Sequence, residues 1–125
     1  MTKDDARRAV SAIAWSRVAF GVAAMAAPVT AARLWTGEDD RGPLTRVMVR
    51  SLGARDVALG LGAVLALRHD APVRGWVEGG GLADAADTVG TLLAFRALPR
   101  ARRWLVLATS AAAMASARIL STSVD

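Results

Sequence analysis

Apolar residues along this chain fall into four blocks, separated by short joints rich in charge, Pro or Gly. The first block runs from about Val10 to Ala32, and its uncharged part, Val18–Ala32, is fifteen residues long with Pro28 near its end. The second runs from Leu44 or Arg50 to Leu67, the third from Gly75 to Leu98, and the fourth from Trp104 to about Leu120, after which a short polar tail follows. The joints are Arg33–Pro43, Arg68–Pro72 and Pro99–Arg103. Their Gly, Pro and charged residues read as loops. Short joints between long apolar blocks predict an all-α fold, a four-helix up-and-down bundle filling residues 1–125 as a single domain. The residue types agree. The apolar content is dominated by Ala, a helix former, while the absence of Tyr and the presence of only two Phe argue against strands.

Hydropathy alone leaves lipid and water open as the solvent of this bundle. A spanning helix needs about 20 predominantly apolar residues. The longest uncharged runs here are fifteen residues, then fourteen in Trp104–Ala117 and eleven in Val57–Leu67. A charged residue at the centre of a spanning helix costs roughly 2.5–3.5 kcal/mol on insertion, and the second and third blocks each carry at least two. Three features favour lipid. Each block reaches spanning length if its internal charges face the bundle. Trp35, Trp76 and Trp104 stand at block ends, as in an interfacial belt. The only polar residues in Trp104–Ala117 are Thr109, Ser110 and Ser116, where a water-facing helix would carry charges on its outer side. The expectation is a multi-pass protein of the cell membrane, a transmembrane bundle with the lipid bilayer as its partner and small-residue faces open to a second copy or another membrane protein.

Composition narrows the chemistry. The net charge is +5, carried by fifteen Arg and one Lys. Arg7-Arg8 and Arg100-Ala101-Arg102-Arg103 flank apolar blocks and do not alternate with aromatics, a membrane-flank pattern and not a nucleic-acid face, so no nucleic acid is expected. Counting Arg and Lys by joint gives only a small excess on the side opposite the N-terminus, which leaves orientation open. The basic Met1–Arg8 stretch before an apolar run is compatible with a signal peptide, but Arg17 interrupts the run and Ala24–Ala27 lies amid a continuing helix. The lack of Cys excludes disulfides, zinc-thiolate sites and a thiol nucleophile, and the single histidine, His69, excludes multi-histidine metal sites. A Ser-His-Asp triad would have to use His69. Gly79-Gly80-Gly81 lacks the Lys and Ser/Thr of a phosphate loop and reads as a closely packed helix start. No cofactor and no metal are expected.

The chemistry that remains lies in charged residues inside the blocks. Gly53, Asp56 and Gly60 share one helical face, where small residues would let a neighbouring helix approach with Asp56 at the contact. Arg55 points to an adjacent face with Ser51 and Gly62. In the third block Gly80, Asp84, Asp87 and Thr91 form a polar stripe. Two carboxylates one turn apart in a low dielectric need cations, or one must take up a proton. Three cations, Arg17, Arg50 and Arg55, match three anions, Asp56, Asp84 and Asp87. That balance predicts a buried ion-pair network in which Arg55 meets Asp84 or Asp87.

The string Arg50-x-x-Gly53-x-Arg55-Asp56-x-x-Leu59-Gly60, followed by Asp84 and Asp87, resembles an uncharacterised family of small actinobacterial-type membrane proteins, four-helix and DoxX-like in architecture. The resemblance covers the second and third blocks. It implies the four-helix membrane architecture and this choice of polar residues, and it implies no activity.

Four functions compete. In the first, a small integral membrane protein uses its polar core (Arg17, Arg50, Arg55, Asp56, Asp84 and Asp87) to bind a small polar solute, an ion or a proton, with Asp84 and Asp87 as the binding or relay groups. In the second, the chain is a structural or accessory subunit, and the charges only lock helix register. In the third, a membrane enzyme holds Mg²⁺ through Asp84-x-x-Asp87 beside a lipid phosphate. That spacing is faintly similar to the paired acids of phospholipid head-group transferases, whose other motif elements are missing here. The fourth is a soluble helical module. The sequence names no catalytic residue.

Overall fold

The computed structural model describes residues 2–124. Five α-helices follow one another: α1 (Lys3–Ala26), α2 (Pro28–Thr36), α3 (Pro43–Arg68), α4 (Arg74–Leu93) and α5 (Arg100–Ser121), with no strand among the described residues. The first apolar block is therefore two helices, not one. α1 begins well before Val10 because Thr2 and Asp5 form a reciprocal cap: the Asp5 N–H donates to the Thr2 hydroxyl (3.1 Å) and the Thr2 N–H to the Asp5 carboxylate (3.2 Å). It stops at Ala26 because Pro28 has no N–H and its ring crowds the preceding turn. The same proline then starts α2, where its fixed φ is an advantage. α2 runs through Arg33–Thr36, which the charge pattern assigns to a joint, and ends at Gly37 in the left-handed conformation (φ 81°) with its N–H on the Arg33 carbonyl at 2.8 Å. The third block also ends early: α4 stops at Leu93, and residues 94–98 are turns leading into Pro99.

The loop before α3 is closed by Asp40, whose carboxylate accepts the Gly42 N–H (2.8 Å) and the Thr45 hydroxyl. The Thr45 hydroxyl and then the Gly42 amide hold the Asp40 carboxyl below its ordinary value. The stability this contributes is present above the carboxyl's unfolded-chain pKa and is lost as pH falls through the lower, folded one.

α1 and α3 lie antiparallel along a seam of small residues. A methyl group on Gly21 would sit 2.4 Å from the Gly53 carbonyl oxygen, and one on Gly60 would sit 2.5 Å from that of Ala14. Backbone thus meets backbone, as the Gly53–Asp56–Gly60 spacing predicts. α4 and α5 form the second pair, with Gly81 against Ala117. α3 also runs antiparallel to α4, with the Trp76 ring lying on Gly62 and Leu59 beside Gly79. α2 packs on α3 and touches α5.

The interior this makes is built of small residues. Its cluster joins Ala6, Val10 and Ala14 to Ala63, Val64 and Val73, and the largest side chains fully buried are the valines Val73 and Val124. Many large apolar side chains point outward, Leu82 at 72% exposed and Leu93 at 85%, while Leu120 is buried. Asp56 and Asp84, by contrast, are 8% exposed. α1 and the Arg102–Ser121 stretch of α5 are long and apolar enough to cross a membrane. α3 and α4 have comparable length, but each carries charges at mid-helix.

The seam generates a paired expectation. Gly60→Val should drive a side chain into the α1 backbone and destabilise the fold by about 1–3 kcal/mol, as overpacking does. Gly90 in α4 has no neighbour within 4 Å of a built Cβ, so Gly90→Ala should be neutral or gain up to about 1 kcal/mol of helix propensity. Thermal unfolding in detergent, followed by circular dichroism, reads both. Equal effects would mean that the α1–α3 approach is looser than these distances.

Candidate functional site

Arg17, Asp56 and Asp84 each stand near the middle of their own helix, α1, α3 and α4. The Arg17 guanidinium joins them. Its Nη1 donates to Asp56 Oδ1 at 3.1 Å, and its Nη2 donates to the Gly80 carbonyl at 3.3 Å and to Asp84 Oδ2. Gly80 permits this placement, since a Cβ there would lie 3.3 Å from Arg17 Nη2. A second guanidinium continues the network. Arg55 grips Asp87 with both terminal nitrogens (3.0 and 2.9 Å), and its Nη2 also reaches Asp56 Oδ1 at 3.3 Å. Arg55 Nε is buried without a partner.

The result is an alternating chain, Asp84–Arg17–Asp56–Arg55–Asp87, with an acid at each end. Its two halves differ in solvation. The Asp56 and Asp84 side chains are each 11% exposed and that of Arg17 is 16%, whereas Arg55 and Asp87 are close to one-third exposed. Threonines on α4 stay out of it: the Thr88 and Thr91 hydroxyls donate to the carbonyls of Asp84 and Asp87, each at 2.8 Å along their own helix.

Three sequence expectations change here. Arg50 does not join the network. It is exposed, and its Nε donates to the Met25 carbonyl at 3.2 Å, covering one of the carbonyls left open where α1 ends. Three-against-three balance therefore fails, and two guanidiniums face three carboxylates. Asp84 and Asp87 do not converge either, because each turns to a different arginine. That arrangement is unlike a shared Asp84-x-x-Asp87 cation site, and no group of three metal-binding side chains occurs among the described residues. The Gly80–Thr91 polar stripe is divided too: Gly80 and Asp84 line a cavity whose lining does not include Asp87 or Thr91. The pairing of Arg55 with Asp87 is one of the two that the charge pattern predicts. His69 is exposed at the end of α3.

That cavity is a cleft of about 240 Å³ between the α1/α3 pair and the α4/α5 pair. Arg17 and Asp84 form its charged part. Trp76, Leu59, Val77 and Leu120 line its apolar part, and Ser16 and Ser116 add hydroxyls. Sequence reading missed the cleft, Trp76 as a lining residue and both serines. The available signal was Gly62, a glycine inside α3 one turn past Leu59, which makes room for the Trp76 ring. No family model, curated protein or solved structure matches the chain, so its function has to be argued from these residues.

Removing Arg17 leaves the buried Asp84 without a guanidinium and Asp56 with Arg55 alone. Arg17→Met should cost on the order of 3–5 kcal/mol, the usual range for breaking a buried pair. Arg55→Met, at a better solvated position, should cost less. Adding Asp84→Asn to Arg17→Met should recover part of the loss. Melting temperatures of the purified variants test the ranking, and equal losses for the two single variants would contradict a hub at Arg17.

Proposed function

We propose that the chain is a multi-pass integral membrane protein whose charged core binds a small solute, an ion or a proton. The observation that carries this is the Arg17–Asp84 pair, which stands at mid-helix and opens onto a 240 Å³ cleft. Ionisable groups at that depth pair with one another and mark binding or conduction routes. The burial pattern supports a lipid surround: valines and alanines inside, with Leu, Trp and Phe facing out around buried aspartates. In this reading α1, α3, α4 and α5 cross the bilayer, while α2, with Leu34 and Trp35 exposed, lies at its surface. The resemblance to DoxX-like four-helix membrane proteins points the same way.

The end of the bundle carrying the Gly37–Gly42 loop also carries Arg33, Arg41, Arg46, Arg96 and Arg103. With Arg100 and Arg102 these slightly outnumber Lys3, Arg7, Arg8, Arg68, Arg74 and Arg118 at the other end, and on that small excess we take the loop end as the cytoplasmic one. A second reading, an accessory subunit, has its own observation. Ala108, Ala111, Ala112 and Ala115 are exposed along one face of α5, a surface that a helix of another chain could approach closely.

Three measurements bear on this. The protein should stay in the membrane pellet after carbonate extraction, and recovery as a stable soluble monomer would overturn the membrane reading. In intact cells an impermeant thiol reagent should label His69→Cys but not Asp40→Cys, and the reverse pattern would invert the orientation. The chain has no Cys of its own, so in purified protein Ser116→Cys should react with a water-soluble thiol reagent while the buried Thr91→Cys should not. Full protection of Ser116→Cys in folded protein would leave the cleft closed and favour the accessory subunit.

A further inference from the structure

We infer that the cleft takes a small amphiphilic cation: a single ammonium-type head against Asp84 and an apolar, preferably aromatic, body against Trp76 and Leu120. This rests on the reading of the cleft as a binding site and goes further by naming the ligand's chemistry.

The first ground is charge. The network holds two guanidiniums and three carboxylates, because Arg50 lies outside it. The deficit is not evenly spread. Asp87 has both oxygens on Arg55. Arg17, in contrast, serves Asp56 and Asp84 together with the Gly80 carbonyl. Only Asp84 of the three acids lines the cleft. Its Oδ2 takes the bond from Arg17, and no donor among the described residues reaches its Oδ1. The α5 wall brings no counter-charge, since Ala113, Ser116 and Ala117 are its lining residues there. The position left for a positive charge is therefore in the cleft, beside Asp84.

The second ground is shape and surface. Most of the lining is apolar, and the ring of Trp76 stands in it, held against Gly62. A cation over or beside an indole gains from the ring quadrupole when desolvated. A bare inorganic cation would gain nothing from the Leu59, Val77 and Leu120 wall and would lose most of its water there. An anion would find the one cation in the lining, Arg17, already committed to Asp56, Asp84 and the Gly80 carbonyl. An organic ammonium with an apolar body satisfies the carboxylate, the indole and the aliphatic wall together.

Binding of 2-phenylethylammonium to the detergent-purified chain, measured by calorimetry beside neutral 2-phenylethanol and anionic 3-phenylpropanoate, tests this. The ammonium should bind on the order of tenfold to a hundredfold more tightly than the alcohol, as expected for a charge-assisted hydrogen bond, and the propanoate should not bind. Asp84→Asn should abolish the preference, while Glu78→Gln, an exposed acid on the same helix that does not line the cleft, should keep it. Arg17 retains Asp56 in Asp84→Asn; if that variant nevertheless fails to fold, Trp76→Leu keeps every charge and should weaken the ammonium severalfold. The ammonium should also slow labelling of Ser116→Cys. If Ser116→Cys labels freely but the ammonium shows no preference over the alcohol, or if Asp84→Asn or Trp76→Leu leaves its affinity unchanged, the cationic-ligand inference falls and the binding-site reading stands. If Ser116→Cys is fully protected, both fall.

Discussion

Everything in this molecule is arranged around one guanidinium. Arg17 leaves the middle of α1 and ties down carboxylates on two other helices: Asp56, which it shares with Arg55, and Asp84, which has no other guanidinium. An isolated ion at such a site carries a desolvation penalty of several kcal/mol, and removing one partner of a buried pair exposes that penalty in full. The backbone is fitted to the requirement. Glycines at 21, 53 and 60 bring α1 close enough to α3 for Arg17 to reach Asp56, and Gly80 opens α4 so that the same side chain can lie across it. Small residues and charged residues thus belong to one design: the former set the distances at which the latter can pair.

How much of this could be read in advance depends on the range of the interaction. Helix content, the small-residue face of α3 and the attraction of Arg55 to an acid of α4 are legible because they follow from spacing along one helix and from charge. Helix ends are less so. Pro28 stood inside an apolar run and was outweighed by it, yet its missing N–H divides the run in two. Thr2 and Asp5 extend α1 through the charged residues that precede the first apolar block. The site was legible in its membership but not in its wiring. Arg50 counts as a core cation from sequence because it sits in the motif string, and only the three-dimensional position of the end of α1 shows that it serves the Met25 carbonyl instead. Likewise Asp84 and Asp87 share a face by helical geometry, but which arginine each one meets depends on how α1 and α3 flank α4.

Charge and packing also explain why the cleft lies where it does. α1 is bound to α3 by backbone contact, and α5 to α4, but α1 touches α5 only sparsely. Space remains between the two pairs, faced by small packing residues such as Ala14 and Ala117 and by a few larger side chains. Trp76 and Asp84, the largest and the most polar of them on α4, are left to define its character.

The small-residue seam has one more consequence. Each helix pair is held by close, solvent-independent contact, while the pairs are joined both by apolar contacts such as Trp76 on Gly62 and by guanidinium–carboxylate bonds, so the ionic part of that joint works as a latch between two close-packed plates. Coulombic attraction scales inversely with the local dielectric, so the latch is tight when its surroundings are dry and slackens when water or mobile ions reach it. Hydration of the cleft would then act as a control variable, setting how far the plates can part without disturbing either one.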